Sequence, residues 1–261
     1  MGQGGLFLDH PPFRLQWVGN ANGLLAFGFT GIVMTENIAR TVIITGSSEG
    51  IGREAAFRFS RERWNVIMTY RKDKEEGMET KAKCDALGAK SSLLLQLDVS
   101  DESSIRQVVD EIKRAFGKVT VLVNNAGIDV WKPLREQTPE EISRQIRTNL
   151  EGPIIMTMEM LPIVTSMVLN VGSRAGIDGY SGIAVYSATK AGIRGFTRSL
   201  AQEEKRLKVY TIYPGYTATH MTGFHGDPPE KVADLIFDTA NGRYDLPTGA
   251  DIPVWDPLGG V

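Results

Sequence analysis

The chain has 261 residues and a mass of 28.7 kDa, with 42% apolar, 23% charged and 8% aromatic residues and a mean hydropathy of -0.14, the make-up of a globular protein with room for one large domain or two small ones. Twenty-nine basic against thirty-one acidic residues leave a formal charge of -2. No basic excess exists to neutralise a phosphate backbone, so nucleic acid is not an expected partner. The single cysteine, Cys84, excludes an internal disulfide, and three histidines without ligand spacing leave no metal site to expect.

Residues 1–33 differ from the rest, with a Pro11-Pro12 pair, scattered glycines, one arginine and an apolar run from Gly23 to Val33. That run of eleven residues is too short to span a bilayer and lacks the flanks of a secretory signal. Residues 1–39 are therefore read as a poorly ordered N-terminal extension, with Met34 as a natural start; a docking arm for a membrane or partner is the other reading. Residues 40–261 are read as one catalytic domain. A cytoplasmic location without a membrane partner is expected.

From Thr41 the pattern is regular. Thr41 to Thr45 is a short β-branched run, a buried strand, followed by a glycine-rich turn. Ile51, Ala55 and Phe59 recur every four residues and share one helix face. Asn65 to Tyr70 reads as a second strand, Asp73 to Leu87 as a charged helix, and Ser92 to Leu97 as a third strand. Asp101 to Phe116 is an amphipathic helix and Val119 to Val123 a fourth buried strand. Thr138-Pro139-Glu140-Glu141 is a capping box with proline at the first helical position, opening a long helix. Strand five is placed at Met167 to Val171, a helix around Tyr186 to Lys205 and strand six at Lys208 to Tyr213. A last helix is placed at Pro229 to Thr239 and a last strand at Asp251 to Trp255. The strict alternation predicts a single doubly wound α/β domain of Rossmann type, with a seven-stranded, mostly parallel sheet.

Two segments carry chemistry. Thr45-Gly-Ser-Ser-Glu-Gly-Ile-Gly52 joins the first strand to the first helix, and its glycines at 46, 50 and 52 permit a tight turn with backbone N–H groups aimed at a pyrophosphate. This spacing departs from the GxGxxG fingerprint. Tyr186 and Lys190 stand four apart on one helix face, 13 residues after Ser173 in Asn170-Val-Gly-Ser-Arg-Ala-Gly176 at the end of strand five. A hydroxyl at a strand's carboxyl end beside a lysine-supported tyrosine is a proton-transfer constellation.

With these motifs the chain resembles the short-chain dehydrogenase/reductase family, and is similar to its oxoacyl-carrier-protein reductase branch, from about Thr41 to the end. The motifs lie in order: the turn at 45–52, Asp98-Val99 after strand three, Asn124-Asn-Ala-Gly127 after strand four, Asn149, Ser173, Tyr186 with Lys190, and Pro214-Gly-Tyr-Thr-Ala-Thr219 after strand six. The resemblance implies hydride transfer between a nicotinamide cofactor and a small-molecule carbonyl compound or secondary alcohol. Tyr186 would be general acid or base, with Lys190 lowering its pKa and holding the nicotinamide ribose. Ser173 would bond the substrate oxygen and Asn149 would complete a proton relay. It implies cofactor contacts from Gly46, Ser48, Glu49, Gly50, Ile51 and Gly52 in the turn, and from Asp98 and Val99 near the adenine. Asn125, Ala126 and Gly127 would pack by the ribose, and Pro214, Gly215, Thr217 and Thr219 would cover the nicotinamide. It also implies a homodimer or homotetramer. A non-catalytic dinucleotide-binding sensor or scaffold on the same fold is the rival, against which intact Asn149, Ser173, Tyr186 and Lys190 weigh.

NADP(H) is favoured over NAD(H), which stays open. The second strand ends in Thr69-Tyr-Arg-Lys72, and Arg71 with Lys72 can pair with a 2′-phosphate where an NAD site offers a carboxylate. Glu49, where NADP-preferring relatives often place a base, argues the other way. Trp131, Tyr180, Tyr216, Met221 and Phe224 follow strand ends and are candidates for the substrate pocket. Only Thr222 to Asp227 separate Met221 from Pro228-Pro229, where relatives carry a mobile helical lid, so an open substrate site is expected.

Overall fold

Val42 and Ile44 belong to one layer of the core and Ile43 to the other, and all three are fully buried. A strand so built must be covered on both faces. The computed structural model describes residues 40–259, so the reading of residues 1–39 as an extension lies outside the described residues. The elements run β1 (Thr41–Ile44), α1 (Gly50–Arg61), β2 (Asn65–Tyr70), α2 (Lys74–Ala86), β3 (Ser91–Gln96), α3 (Glu102–Phe116), β4 (Val119–Asn124) and α4 (Pro139–Ile146). They continue with α5 (Gly152–Met160), β5 (Val164–Val171), α6 (Ala175–Asp178), α7 (Ala184–Glu203), β6 (Lys208–Tyr213), α8 (Pro229–Ala240) and β7 (Asp251–Pro253).

The seven strands lie in the order β3-β2-β1-β4-β5-β6-β7. Each pairing is parallel, β7 included, so the sheet expected to be mostly parallel is parallel throughout. On one face Phe59 of α1 and Phe237 of α8 enclose Trp64 through edge-on ring contacts with centroids 4.9 to 6.5 Å apart. On the other, Ile105 and Ile112 of α3, Met156 and Met160 of α5 and Leu200 of α7 cover Ile43, Leu122 and Val168. Each such fully buried side chain contributes about 1.5–3 kcal/mol. The chain reverses its winding between β1 and β4, and the crevice beyond their carboxyl ends is where such sheets bind ligands.

Two local outcomes differ from the expected pattern. β5 begins at Val164, three residues before Met167, because Val164 pairs with Val119 across a register shift that the polar Thr165-Ser166 pair conceals. The helix opened by the Thr138 capping box does not run on uniformly. Residues Arg147–Glu151 form a π turn in which the Gly152 N–H bonds the Arg147 carbonyl, five residues back. Pro153 supplies the reason: it has no N–H to give to the Asn149 carbonyl, and its ring crowds that group. Gly152 is needed at the same point, since a Cβ there would stand 2.3 Å from the Val99 carbonyl oxygen.

Candidate active site

The turn after β1 is built to bring backbone to the surface of the crevice. Gly46 has φ +62°, and a Cβ on it would lie 2.9 Å from the Ala126 Cα. A Cβ on Gly52 would lie 2.3 Å from the Gly46 carbonyl oxygen and 2.5 Å from the Asn125 amide nitrogen. Ser47 and Thr69 lock the turn to β2: the Ser47 Oγ accepts from the Thr69 N–H at 2.9 Å, and the Gly46 N–H donates to the Thr69 Oγ1 at 2.9 Å. Just after β4, the Asn125 Nδ2 donates to the carbonyls of Thr45 and Gly46, both at 2.9 Å, while the Thr45 Oγ1 accepts from the N–H groups of Asn125 and Ala126, both at 3.0 Å. Glu49 stands at the N-cap of α1, yet its side chain makes no capping bond. The first N–H groups of the helix therefore have no partner within it.

These elements open onto a cleft of about 620 Å³ that runs from the glycine-rich turn to the amino end of α7. Gly46, Ser48, Glu49, Gly50, Ile51 and Arg71 line one end. Val99, Asn125, Ala126 and Gly127 line the middle, and Ser173, Tyr186, Lys190, Pro214, Gly215, Thr217 and Thr219 the other end. The remaining expected residues stand elsewhere. Gly52 is buried under the turn as a packing glycine. Asp98 does not line the cleft: its Oδ1 accepts from the Ser100 N–H at 2.9 Å and hydroxyl at 2.6 Å, which holds the chain leading into α3. Lys72 is exposed outside the cleft, leaving Arg71 as the cation at the end of β2, and among the described residues no carboxylate pairs with Arg71. Asn149 is buried behind the wall. Its Oδ1 accepts from the Ile128 N–H at 2.8 Å, and its Nδ2 donates to the Ile128 carbonyl at 2.7 Å and the Thr189 Oγ1 at 3.3 Å. The π turn aims Asn149 at the loop after β4, and Asn149 in turn fixes Ile128, which does line the cleft.

The proton-transfer group forms at the end of β5. Ser173 follows that strand, its Oγ accepts from the Ala175 N–H at 3.1 Å, and it lines the cleft with Tyr186, its hydroxyl near enough to lower the Tyr186 phenol. Lys190, one helical turn on, is fully buried, donates to the Val171 carbonyl at 2.8 Å and stands 5.6 Å from the Tyr186 ring centre. Burial pushes the Lys190 ammonium down to about 8. The expected lowering of the Tyr186 phenol by Lys190 together with a nicotinamide charge concerns the cofactor-bound chain; without cofactor, burial dominates. Burial pushes the phenol up to about 12, opposed by the Ser173 hydroxyl and assisted by the negative charge of Asp129. Without a ligand's charge beside it, Tyr186 is a protonated phenol and Lys190 a cation held at a desolvation cost.

Four of the five aromatic or methionine candidates reach the cleft: Trp131, Tyr180, Tyr216 and Met221. Phe224 instead stacks edge-on against His220. The segment after β6 is short, as expected, and it is folded on itself. Thr217 bridges Asp227, the Asp227 N–H donates to the Tyr216 carbonyl at 2.7 Å, and the Thr222 Oγ1 donates to the Thr217 carbonyl at 2.7 Å. Asp129 and Thr148 line the cleft and were not expected there, although Asp129 stands two residues beyond the Asn124–Gly127 motif. Thr148 lies in the π turn, for which Pro153 was the one signal in the sequence.

Comparison with known proteins places this geometry. The short chain dehydrogenase family model matches residues 40–229. The chain belongs to that family. It is 33% identical over 191 residues to the 3-oxoacyl-acyl-carrier-protein reductase of Staphylococcus aureus, covering 71% of this chain and 77% of that protein. It is 34% identical over 211 residues to the NADP-dependent 3-hydroxy acid dehydrogenase of Schizosaccharomyces pombe, covering 76% and 79%. A short chain dehydrogenase from Burkholderia cenocepacia, solved in complex with NADP, superposes with a TM-score of 0.77 at 26% identity, over 83% of this chain and 96% of that one. The chain is accordingly an oxidoreductase of this family. Among the described residues no helix is long and apolar enough to cross a membrane.

Proposed function

We propose that the chain is an NADP(H)-dependent carbonyl reductase in which Tyr186 is the general acid. The observation that carries the reading is the meeting of Ser173, Tyr186 and Lys190 at one end of a cleft whose other end is the glycine-rich turn and Arg71. A dinucleotide fits these residues. The unpartnered N–H groups at the start of α1 suit a pyrophosphate, and the Arg71 guanidinium suits a ribose 2′-phosphate. Val99 and Leu97 offer an apolar wall for the adenine, and Pro214 to Thr219 flank the nicotinamide end. Glu49 remains the one carboxylate at this end of the cleft, half exposed and within 3.7 Å of the His220 Nε2, and is free to turn to solvent. When bound, the cofactor supplies the hydride.

The chain's own residues do the rest. Ser173 and Tyr186 present two hydroxyls to one carbonyl oxygen, holding it while negative charge develops there. Tyr186, protonated at rest, gives its proton to that oxygen. The Lys190 ammonium stabilises the phenolate left behind, an electrostatic role that needs no contact with the substrate. A dinucleotide sensor would have no need of this trio. The test is Tyr186→Phe. NADPH-dependent reduction of ketones should fall by about 10²–10⁴-fold with NADPH affinity retained, and a variant keeping a tenth of its activity would refute the assignment.

A further inference from the structure

Within that reductase reading, we infer that Asp129 sets the substrate class: the cleft takes neutral carbonyl compounds, best those with a hydrogen-bond donor beside the carbonyl, and rejects free oxo acids. Asp129 is half-buried in the cleft wall one residue beyond Ile128, which Asn149 holds on both its N–H and its carbonyl. Its position is therefore rigid. Burial raises its carboxyl above the ordinary value, opposed in lesser part by the neighbouring Trp131 indole and its own backbone N–H, and among the described residues no salt bridge pairs it with a cation. A carboxylate has about four acceptor sites, so capacity remains for a donor arriving in the cleft. Asp129 lines the same cleft as Ser173 and Tyr186, and its negative charge acts to raise the Tyr186 phenol.

The cations nearby do not offset it. Arg174 lines the cleft, but its Nε donates to the Asp178 Oδ2 at 2.9 Å and it lies over the Trp255 ring. Lys132 is paired with Glu141. Lys190 is turned to the Val171 carbonyl. A substrate carboxylate next to the reacting carbon would therefore meet an unpaired like charge in a partly desolvated wall, where such juxtaposition is strongly disfavoured. A hydroxyl in the same place would satisfy Asp129 instead. The exposed rings of Trp131, Tyr180 and Tyr216 complete the site with apolar faces for a ring or chain on the far side of the carbonyl.

The test compares NADPH-dependent kcat/KM for phenylglyoxylate, its methyl ester and 2-hydroxyacetophenone, in the full chain and in Asp129→Asn. Asparagine keeps an acceptor for Trp131 and removes only the charge. The unsubstituted chain should prefer the ester and the hydroxyketone to phenylglyoxylate by about tenfold or more, the scale of one unscreened like-charge contact. In Asp129→Asn the ratio of the phenylglyoxylate rate to the ester rate should rise about tenfold, whatever the change in the ester rate itself. The tyrosinate absorbance of the variant should also develop at lower pH, a change that mere support of Trp131 would not cause. An acid-to-ester ratio that is the same in both chains overturns the proposal. Calorimetric binding of the acid and the ester to Tyr186→Phe loaded with NADP+ separates the two levels of argument. If no compound is reduced, the reductase reading fails, and tighter binding of the ester would still uphold the role of Asp129. Equal binding, or binding of neither, would overturn it.

Discussion

Replacing Lys190 with methionine should destroy activity while leaving the fold as stable as before or more so. The ammonium is fully buried, and burial holds it near 8 against its ordinary 10.5. That difference corresponds to about 3 kcal/mol by which the folded state disfavours the charged lysine. Methionine has a similar length and removes the charge, but leaves the Val171 carbonyl without its donor, at a cost of about 1–3 kcal/mol. The balance at neutral pH lies between about 0 and 2 kcal/mol in favour of the variant, a melting temperature unchanged or raised by up to about 6 °C for a domain of this size. For a base whose folded pKa is depressed, the destabilisation is complete below about 8, where both states are protonated. It disappears as pH rises to about 10.5, where the unfolded lysine too loses its proton. Thermal unfolding of both chains at neutral pH and across that window is the assay, alongside ketone reduction, which should fall by about 10²-fold or more. A variant melting more than about 5 °C below the parent at neutral pH, or an advantage that grows between 8 and 10.5, would refute the reasoning.

Other outcomes follow from the same geometry. Arg71→Ala should weaken NADPH by about 10- to 100-fold, the loss of one charge-assisted bond, and leave NADH unaffected; equal losses with both cofactors, measured as kcat/KM, would remove Arg71 from the 2′-phosphate. Gly52→Ala places a methyl 2.3 Å from the Gly46 carbonyl oxygen, against backbone that Asn125 holds in place. A destabilisation of about 2 kcal/mol or more with a weakened dinucleotide site is expected in denaturant melts and cofactor titration. The short, self-bonded segment from Tyr216 to Asp227 leaves few side chains to close over substrate. Ketones of increasing size should therefore differ little in kcat/KM, and a preference above about a thousandfold for one compact ketone would contradict an open site.

Most of the framework is legible in the residues themselves. Thr41 to Ile44 can only be a strand covered on both sides, and the alternation that follows leaves a parallel sheet as the economical answer. Gly46, Gly50, Ser173, Tyr186 and Lys190 are local signals, because a tight turn and two residues one helical turn apart require only short-range geometry. What the tertiary structure decided depends on neighbours distant in the chain. Asn124, next to the turn-binding Asn125, makes no cleft contact and bonds Thr157 at 2.9 Å and Asn170 at 2.8 Å in a buried network. Asp98 turns to Ser100 rather than to the cleft. Asn149 acts through Ile128 because Pro153 opens a π turn at that point. The protonation of Tyr186 was equally out of reach of spacing alone. A lysine four residues on suggests a lowered phenol, but the desolvation that raises it comes from walls contributed by separate segments, and burial is a property of the assembled fold.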